Sequence, residues 1–275
     1  RGHDYTRFLN NRQVKHLADT EFRLLELHGG VVTGGPIYTC WLPPVVAGYA
    51  DAQLDDYGPG NKEYAGHGRS LFRWSPGTHL SLRARFSHDS DQLVGTAGFG
   101  FWNAPFGDPS VRRPALPQAT WFFFASPPSD LPLAAQGPGR GWFAATLDAG
   151  RATAVSLIPI SPIILLLNRL PALRKRLWPS VRRRLGISFA PLTAVMTAWH
   201  TYELLWLPTG CQFVIDGETI LRTAHSPRGP LGFVCWLDNQ YMVATCDGRF
   251  RWGVLPTSQT QWLEISDLRL SPTSG

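Results

Sequence analysis

The stretch Trp199-His-Thr-Tyr-Glu-Leu-Leu-Trp-Leu-Pro-Thr-Gly-Cys-Gln-Phe-Val-Ile-Asp-Gly-Glu-Thr-Ile-Leu-Arg222 reads as three consecutive strands. Thr201 to Leu207 suits a pleated, half-buried surface, and Pro208-Thr-Gly210 breaks it as a turn. Gln212 to Ile215 is extended again. Asp216-Gly217 is a two-residue hairpin signal, because glycine takes positive φ at little cost. Thr219 to Arg222 follows as a short strand.

The order W-H-x-Y-x-x-x-W-x-P and then D-G resembles the concanavalin A-like lectin/glucanase superfold, as in family 16 glycoside hydrolases. The resemblance implies an all-β fold, a two-sheet antiparallel jelly-roll sandwich, and speaks to fold more than to function. Residues 1–275 are expected to form one such domain, with an apolar and basic helical insert at 152–189. The apolar content of 44 % is ample for a core, and 23 Pro and 27 Gly fit many short strands between turns.

The net charge of +6 is local. From Ala149 to Trp199 there is no Asp or Glu, and eight basic residues lie there: Arg151, Arg169, Arg174, Lys175, Arg176, Arg182, Arg183 and Arg184. The high pI therefore does not imply a general nucleic-acid surface, and no nucleic-acid partner is expected. Val155 to Leu167 is apolar but carries two prolines and is too short to span a bilayer. Leu166, Leu170, Leu173, Leu177, Val181 and Leu185 recur at spacings of three and four, one helical stripe, with Pro171 and Pro179 each suited to start a helix. A basic amphipathic pair of this kind reads as a dock on an anionic membrane surface or a lid, hence a peripheral membrane location; the alternative is a flap packed on the sandwich with solvated arginines.

Cys40, Cys211, Cys235 and Cys246 show no metal-ligand spacing, so no metal is expected, and three disulfide pairings are open beside the option of buried free thiols. The sequence opens on Arg1, without Met or a signal-like apolar stretch, and leaves compartment and natural start open. There is no phosphate loop, H-E-x-x-H or G-x-S-x-G, so no cofactor is implied and common hydrolase chemistry has no visible carrier.

Tyr49-Ala-Asp-Ala-Gln-Leu-Asp-Asp-Tyr-Gly58 puts Asp51, Gln53, Asp55 and Tyr57 on one face of an extended chain. The three carboxyls Asp51, Asp55 and Asp56 are candidates for acid/base chemistry, since crowded carboxyls raise one another's pKa; a solvated or calcium-binding loop is the alternative. Gly95-Thr-Ala-Gly-Phe-Gly-Phe-Trp-Asn-Ala-Pro-Phe-Gly107 sets Gly98, Gly100 and Trp102 on one face, like the floor of a groove, and Phe99, Phe101 and Asn103 on the other. By the resemblance, Trp102 faces a ligand. Thr120-Trp-Phe-Phe-Phe-Ala-Ser-Pro-Pro128 comes where the glucanases carry E-x-D-x-x-E, and that motif occurs nowhere in the chain. Retaining hydrolysis needs two carboxyls about 5–5.5 Å apart, so that mechanism is not expected. Aromatics there suit an apolar ligand, with Phe122 and Phe124 as walls. Gly229 to Tyr241 is a strand ending in Asp238-Asn239; Val234, Trp236 and Asp238 share a face, and by the resemblance Trp236 and Asp238 lie near Trp102.

Two functions follow, with a third beside them. One is an enzyme on an apolar, terpenoid- or lipid-like substrate: a cyclase, isomerase or (de)hydratase. Asp51, Asp55, Asp56 and Asp238 would move protons, and Trp102, Asn103, Phe122, Phe124, Tyr57, Trp236 and Asn239 would line the groove. The other is a non-catalytic carbohydrate-binding lectin-like module, in which Trp102 and Trp236 stack on sugars and Asp238, Asn239 and the acids near Asp55 bind hydroxyls. A glycoside hydrolase with relocated carboxylates is a third.

Overall fold

The computed structural model describes residues 13–16, 22–58, 72–105 and 115–273. In chain order its first strands are β1 (Gln13–His16), β2 (Arg23–Leu27), β3 (Val31–Thr33), β4 (Ile37–Leu42), β5 (Asp51–Asp55), β6 (Thr78–Phe86), β7 (Thr96–Trp102), β8 (Gln118–Ala125) and β9 (Gly141–Asp148). Three helices follow, α1 (Ala152–Val155), α2 (Ser161–Leu167) and α3 (Pro171–Arg184). The chain then runs through β10 (Ser188–Pro191), β11 (His200–Leu207), β12 (Gly210–Ile215), β13 (Glu218–Thr223), β14 (Gly232–Asp238), β15 (Gln240–Ala244), β16 (Phe250–Val254) and β17 (Gln261–Pro272).

The fold is an all-β antiparallel sandwich. One sheet has eight strands in the order β1-β2-β5-β14-β7-β8-β9-β10, and the other seven, β13-β12-β11-β6-β17-β4-β3. Strands that neighbour in space are far apart in sequence, as in a jelly roll. The stretch 199–222 forms β11, β12 and β13 at one edge of the seven-stranded sheet. Its turn has Asp216 and Gly217 both at positive φ, as a D-G hairpin requires. The Asp216 side chain closes that turn by accepting from the Thr201 amide at 2.8 Å.

The core between the sheets is aromatic. Phe86, Phe99, Phe122, Tyr202, Trp206 and Phe213 are all at most 1 % exposed within one cluster. Strand β6 alternates buried and less buried positions along its length, with Leu80, Leu82, Ala84 and Phe86 inside. The other sheet is buried on both faces, and this overturns one expectation. Phe122 and Phe124 belong to the core between the sheets, not to the groove. Their neighbours Trp121 and Phe123 point the opposite way, because side chains alternate along a strand.

The expected helical stripe over 166–185 is divided. Pro171 opens α3, but α3 runs unbroken through Pro179, so Pro179 starts no helix of its own. Its Trp178 is buried and donates from Nε1 to the Ala134 carbonyl at 3.3 Å, and Arg182 Nε donates to the Leu133 carbonyl at 2.9 Å. Leu166 and Leu170 lie outside that contact and are exposed. Of the sequence run 95–107, Phe106 and Gly107 lie outside the described residues.

Candidate functional site

The outer face of the eight-stranded sheet is the candidate site. Antiparallel register lines up its residues in rows across the strands. One row runs Arg23, Asp55, Val234, Gly100, Trp121, Ala145 and Phe189. The next runs Gln53, Trp236, Gly98, Phe123 and Phe143, and a third runs Asp51, Asp238, Thr96 and Ala125.

Glycines in the middle of β7 make room for rings. A Cβ on Gly98 would lie 2.3 Å from the Phe122 carbonyl oxygen and 3.0 Å from Cη2 of Trp236. The floor is thus filled by the neighbouring indole lying over it. Trp102 and Trp121 have centroids 4.7 Å apart, Trp121 and Trp236 6.0 Å, Phe123 and Phe143 5.3 Å. Trp121, Phe123 and Trp236 are each buried and Trp102 is half-buried. Leu131, Leu133, Leu185 and Ile187 pack into the same cluster, so the loop that carries α3 covers the β9 side of the face. The Trp121 Nε1 hydrogen is buried without a hydrogen-bond partner among the described residues.

The acids lie at the other side, and most are occupied. Asp55 accepts from Arg23 Nε at 2.8 Å and Nη2 at 2.9 Å, from Gln53 Nε2 at 2.6 Å and from the Tyr57 amide at 2.9 Å. Burial raises its pKa, and the guanidinium fork opposes that by favouring the anion. Asp56 accepts from Trp74 Nε1 at 2.5 Å and the Phe233 amide at 2.8 Å, with Arg73 Nε 3.3 Å away. Burial pushes its carboxyl up to about 6. Asp238 accepts from the Thr96 amide at 3.2 Å, Thr96 Oγ1 at 2.8 Å, the Gln240 amide at 2.9 Å and the Tyr49 hydroxyl at 3.4 Å. Burial pushes it, too, up to about 6. Asp51 stands directly opposite Asp238 in the register, and both are nearly sealed, at 2 % and 5 % exposure.

The structure brings Trp102, Trp236, Asp51, Asp55, Tyr57 and Asp238 onto this outer side. It does not bring Asn103 or Asn239. Asn103 bridges β7 to the chain entering β8, donating to the Leu116 carbonyl and accepting from the Gln118 amide, both at 2.9 Å. Asn239 is fully buried and ties three backbone segments together, at Ala50, Gly48 and Leu255. Both amides are spent on backbone groups, so they are scaffold. Trp121 and Phe123 are the ring positions missing from the expected wall. Their signal is the non-local register that sets Gly100 and Gly98 opposite them.

The fold defines the class: a two-sheet antiparallel jelly-roll sandwich. No protein-family profile matches the sequence, and no curated protein matches it. The chain is similar in structure to an endo-β-galactosidase from Clostridium perfringens that releases GlcNAcα1-4Gal, at 11 % identity over 97 % of this chain and 64 % of that one, TM-score 0.48. It is similar to a legume lectin-like domain from Entamoeba histolytica, at 7 % identity over 92 % and 90 %, TM-score 0.45. It is also similar to a glycoside hydrolase family protein from Mycobacterium thermorestibile, at 14 % identity over 86 % and 76 %, TM-score 0.42. A matched sialidase is covered over only 17 % of its length. At such identities and scores the likeness is one of architecture and carries nothing about activity.

Proposed function

We propose that the outer face of the eight-stranded sheet binds carbohydrate in the manner of a lectin, without cleaving it. The observation that carries this is the indole pair Trp102–Trp121. Trp102 offers a half-buried ring, and Trp121 beside it holds a buried N–H that lacks an acceptor among the described residues. A pyranose supplies both an apolar face for the ring and a hydroxyl for the donor, once the covering side chains move aside. The state of the acids supports binding over proton transfer. Asp55 and Asp238 each hold four donor contacts, which suits a fixed role better than exchange with a substrate.

Calorimetric titration with soluble β-glucan, β-galactan and uronate oligosaccharides tests this. Saturable binding is expected, weakened roughly tenfold or more by Trp102→Ala with the melting temperature nearly unchanged. Release of reducing ends during the titration would point instead to a divergent glycoside hydrolase. Silence across the panel, with a hydrophobic molecule retained on the purified chain in native mass spectrometry, would sink the lectin reading. The apolar-substrate enzyme would then be favoured, with Asp56 and Asp238 as proton carriers.

A further inference from the structure

Two segments far apart in sequence, α2 and the β15–β16 hairpin, share an end of the molecule. Leu165 of α2 packs on the hairpin turn, with its Cβ 3.7 Å from where a Cβ on Gly248 would stand. Asn168, at the end of α2 and fully buried, donates from Nδ2 to the Cys246 carbonyl at 2.9 Å. The hairpin is fixed in turn to the sandwich: the Ala244 amide donates to the Asp130 carbonyl, and the Asp130 amide to the Met242 carbonyl.

Both segments expose apolar side chains there. Ile163 is 59 % exposed and Leu166 60 %, while Phe250 and Trp252 are 65 % and 53 %. Alternation along β16 puts Phe250, Trp252 and Val254 on one face, and the rings of Phe250 and Trp252 lie 5.3 Å apart. A polypeptide does not leave such a cluster in water without reason. The surrounding charge is one-sided. Arg169, Arg174, Lys175 and Arg176 follow α2, and Arg249 precedes Phe250, while Arg251 alternates to the other face of β16, over the Tyr241 ring. Asp247, the acid of the hairpin turn, is already engaged by Thr245 and Arg249.

We propose that α2 and the β15–β16 hairpin form one docking surface for an anionic lipid bilayer. Aliphatic side chains and a Phe–Trp pair enter the interface, and the basic side chains meet the headgroups. Helix α2 has only seven residues, and no described helix is long and apolar enough to cross a membrane, so the contact is with one leaflet. Charge complementarity selects an anionic surface, because no acid stands between Ala149 and Trp199 to attract a basic partner.

Flotation of the full chain with phosphatidylcholine vesicles, with and without phosphatidylserine, tests the proposal. Binding is expected only with phosphatidylserine and is expected to weaken at high salt. Leu166→Asp and Trp252→Asp should each lower the bound fraction roughly tenfold, since each puts a carboxylate into the contact. Both positions are exposed, so the fold should persist, as circular dichroism will show. Val46→Asp, at an apolar residue 91 % exposed elsewhere, should bind as the parent does. No flotation with phosphatidylserine overturns the proposal, as does flotation indifferent to the two variants. A concentration-dependent dimer in sedimentation, lost in the same variants, would assign the surface to a second copy of the chain and overturn it equally.

Discussion

Trp236 and Asp238, two positions apart on β14, are coupled through a single hydroxyl. The Trp236 indole donates to Thr96 Oγ1 at 3.0 Å, and that hydroxyl donates to Asp238 Oδ1 at 2.8 Å. The ring that lies over Gly98 is therefore held by the same carboxyl that closes the end of β7. Aromatic floor and acid row are one construction.

That coupling gives a pH dependence with a definite sign. Burial raises the Asp238 pKa from 3.8 to about 6, so the folded chain binds this proton more tightly than the unfolded one. Stability should then fall as pH rises from about 4 to about 6, and level off above. Asp56, raised to the same value, acts in the same direction. Each contributes about 2–3 kcal/mol to the decline. Asp238→Asn should roughly halve it, leaving the Asp56 part, because the amide oxygen still accepts from Thr96 and Gln240 and the amide nitrogen can face the Tyr49 hydroxyl. Urea unfolding at a series of pH values reads the slope; an unchanged slope in the variant refutes the assignment to Asp238.

Gly98→Ala tests the floor. The added methyl would meet the Phe122 carbonyl and the Trp236 ring, and neither can withdraw without breaking the β7–β8 ladder or the Thr96 bond. A loss of about 3 kcal/mol is expected, with a shift in indole fluorescence as Trp236 is displaced. Gly217→Ala is the comparison. Nothing lies within 4 Å of its Cβ, so only the positive φ is penalised, by about 1 kcal/mol. Equal losses at the two sites would mean that close packing over Gly98 matters little.

Arg23 and Asp55 form a buried bidentate pair across β2 and β5. Arg23→Met should cost about 3–5 kcal/mol, because it strands a buried carboxylate. Replacing both residues, Arg23→Met with Asp55→Leu, should cost much less than the two single changes summed. A double-mutant cycle by urea unfolding measures the coupling. Strict additivity would show that the pair does not anchor the strand, and would free Asp55 for another role.

How far the sequence carries depends on whether a strand has one buried face or two. In the seven-stranded sheet, β6 alternates Leu80, Leu82, Ala84 and Phe86 against polar residues, and the pattern alone sets its phase. The 199–222 run is legible for the added reason that its turns are chemical: Asp216-Gly217 fixes where the chain reverses. Strand β8 is different. From Ala119 to Ala125 every residue is buried, so the run has no phase to read, and it offers Phe122 with Phe124 or Trp121 with Phe123 equally as walls. Only the register against Gly98 and Gly100 decides for Trp121 and Phe123. The carboxyls were visible as residues, but their partners lie far along the chain: Arg23 is 32 positions from Asp55, and Thr96 is 142 from Asp238. A local pattern holds no trace of such pairing. The β15–β16 hairpin joins α2 for the same reason, through contacts about eighty residues apart.

The thiols give a prediction that also settles their pairing. Cys40, Cys211 and Cys235 are buried in the core, and Cys246 alone is partly exposed. Burial pushes the Cys211 thiol up to about 12 and raises Cys235 as well, with the neighbouring Cys40 thiol adding to the effect. Buried thiols that stay protonated react slowly. Partial burial raises the Cys246 thiol as well, but it is reachable, so Ellman's reagent on the native chain should titrate Cys246 alone and leave the three core thiols untouched, while denaturant should reveal all four. The informative departure is a denatured count of two without reductant. Cys40 and Cys235 face each other between the sheets, with Cys40 Sγ 3.9 Å from the Cys235 carbonyl oxygen, so that count would place a disulfide across the sandwich at this point. A denatured count of four excludes such a bridge and leaves the two sheets joined by core packing and a few side-chain hydrogen bonds, such as Ser188 Oγ to Thr223 Oγ1 at 2.7 Å.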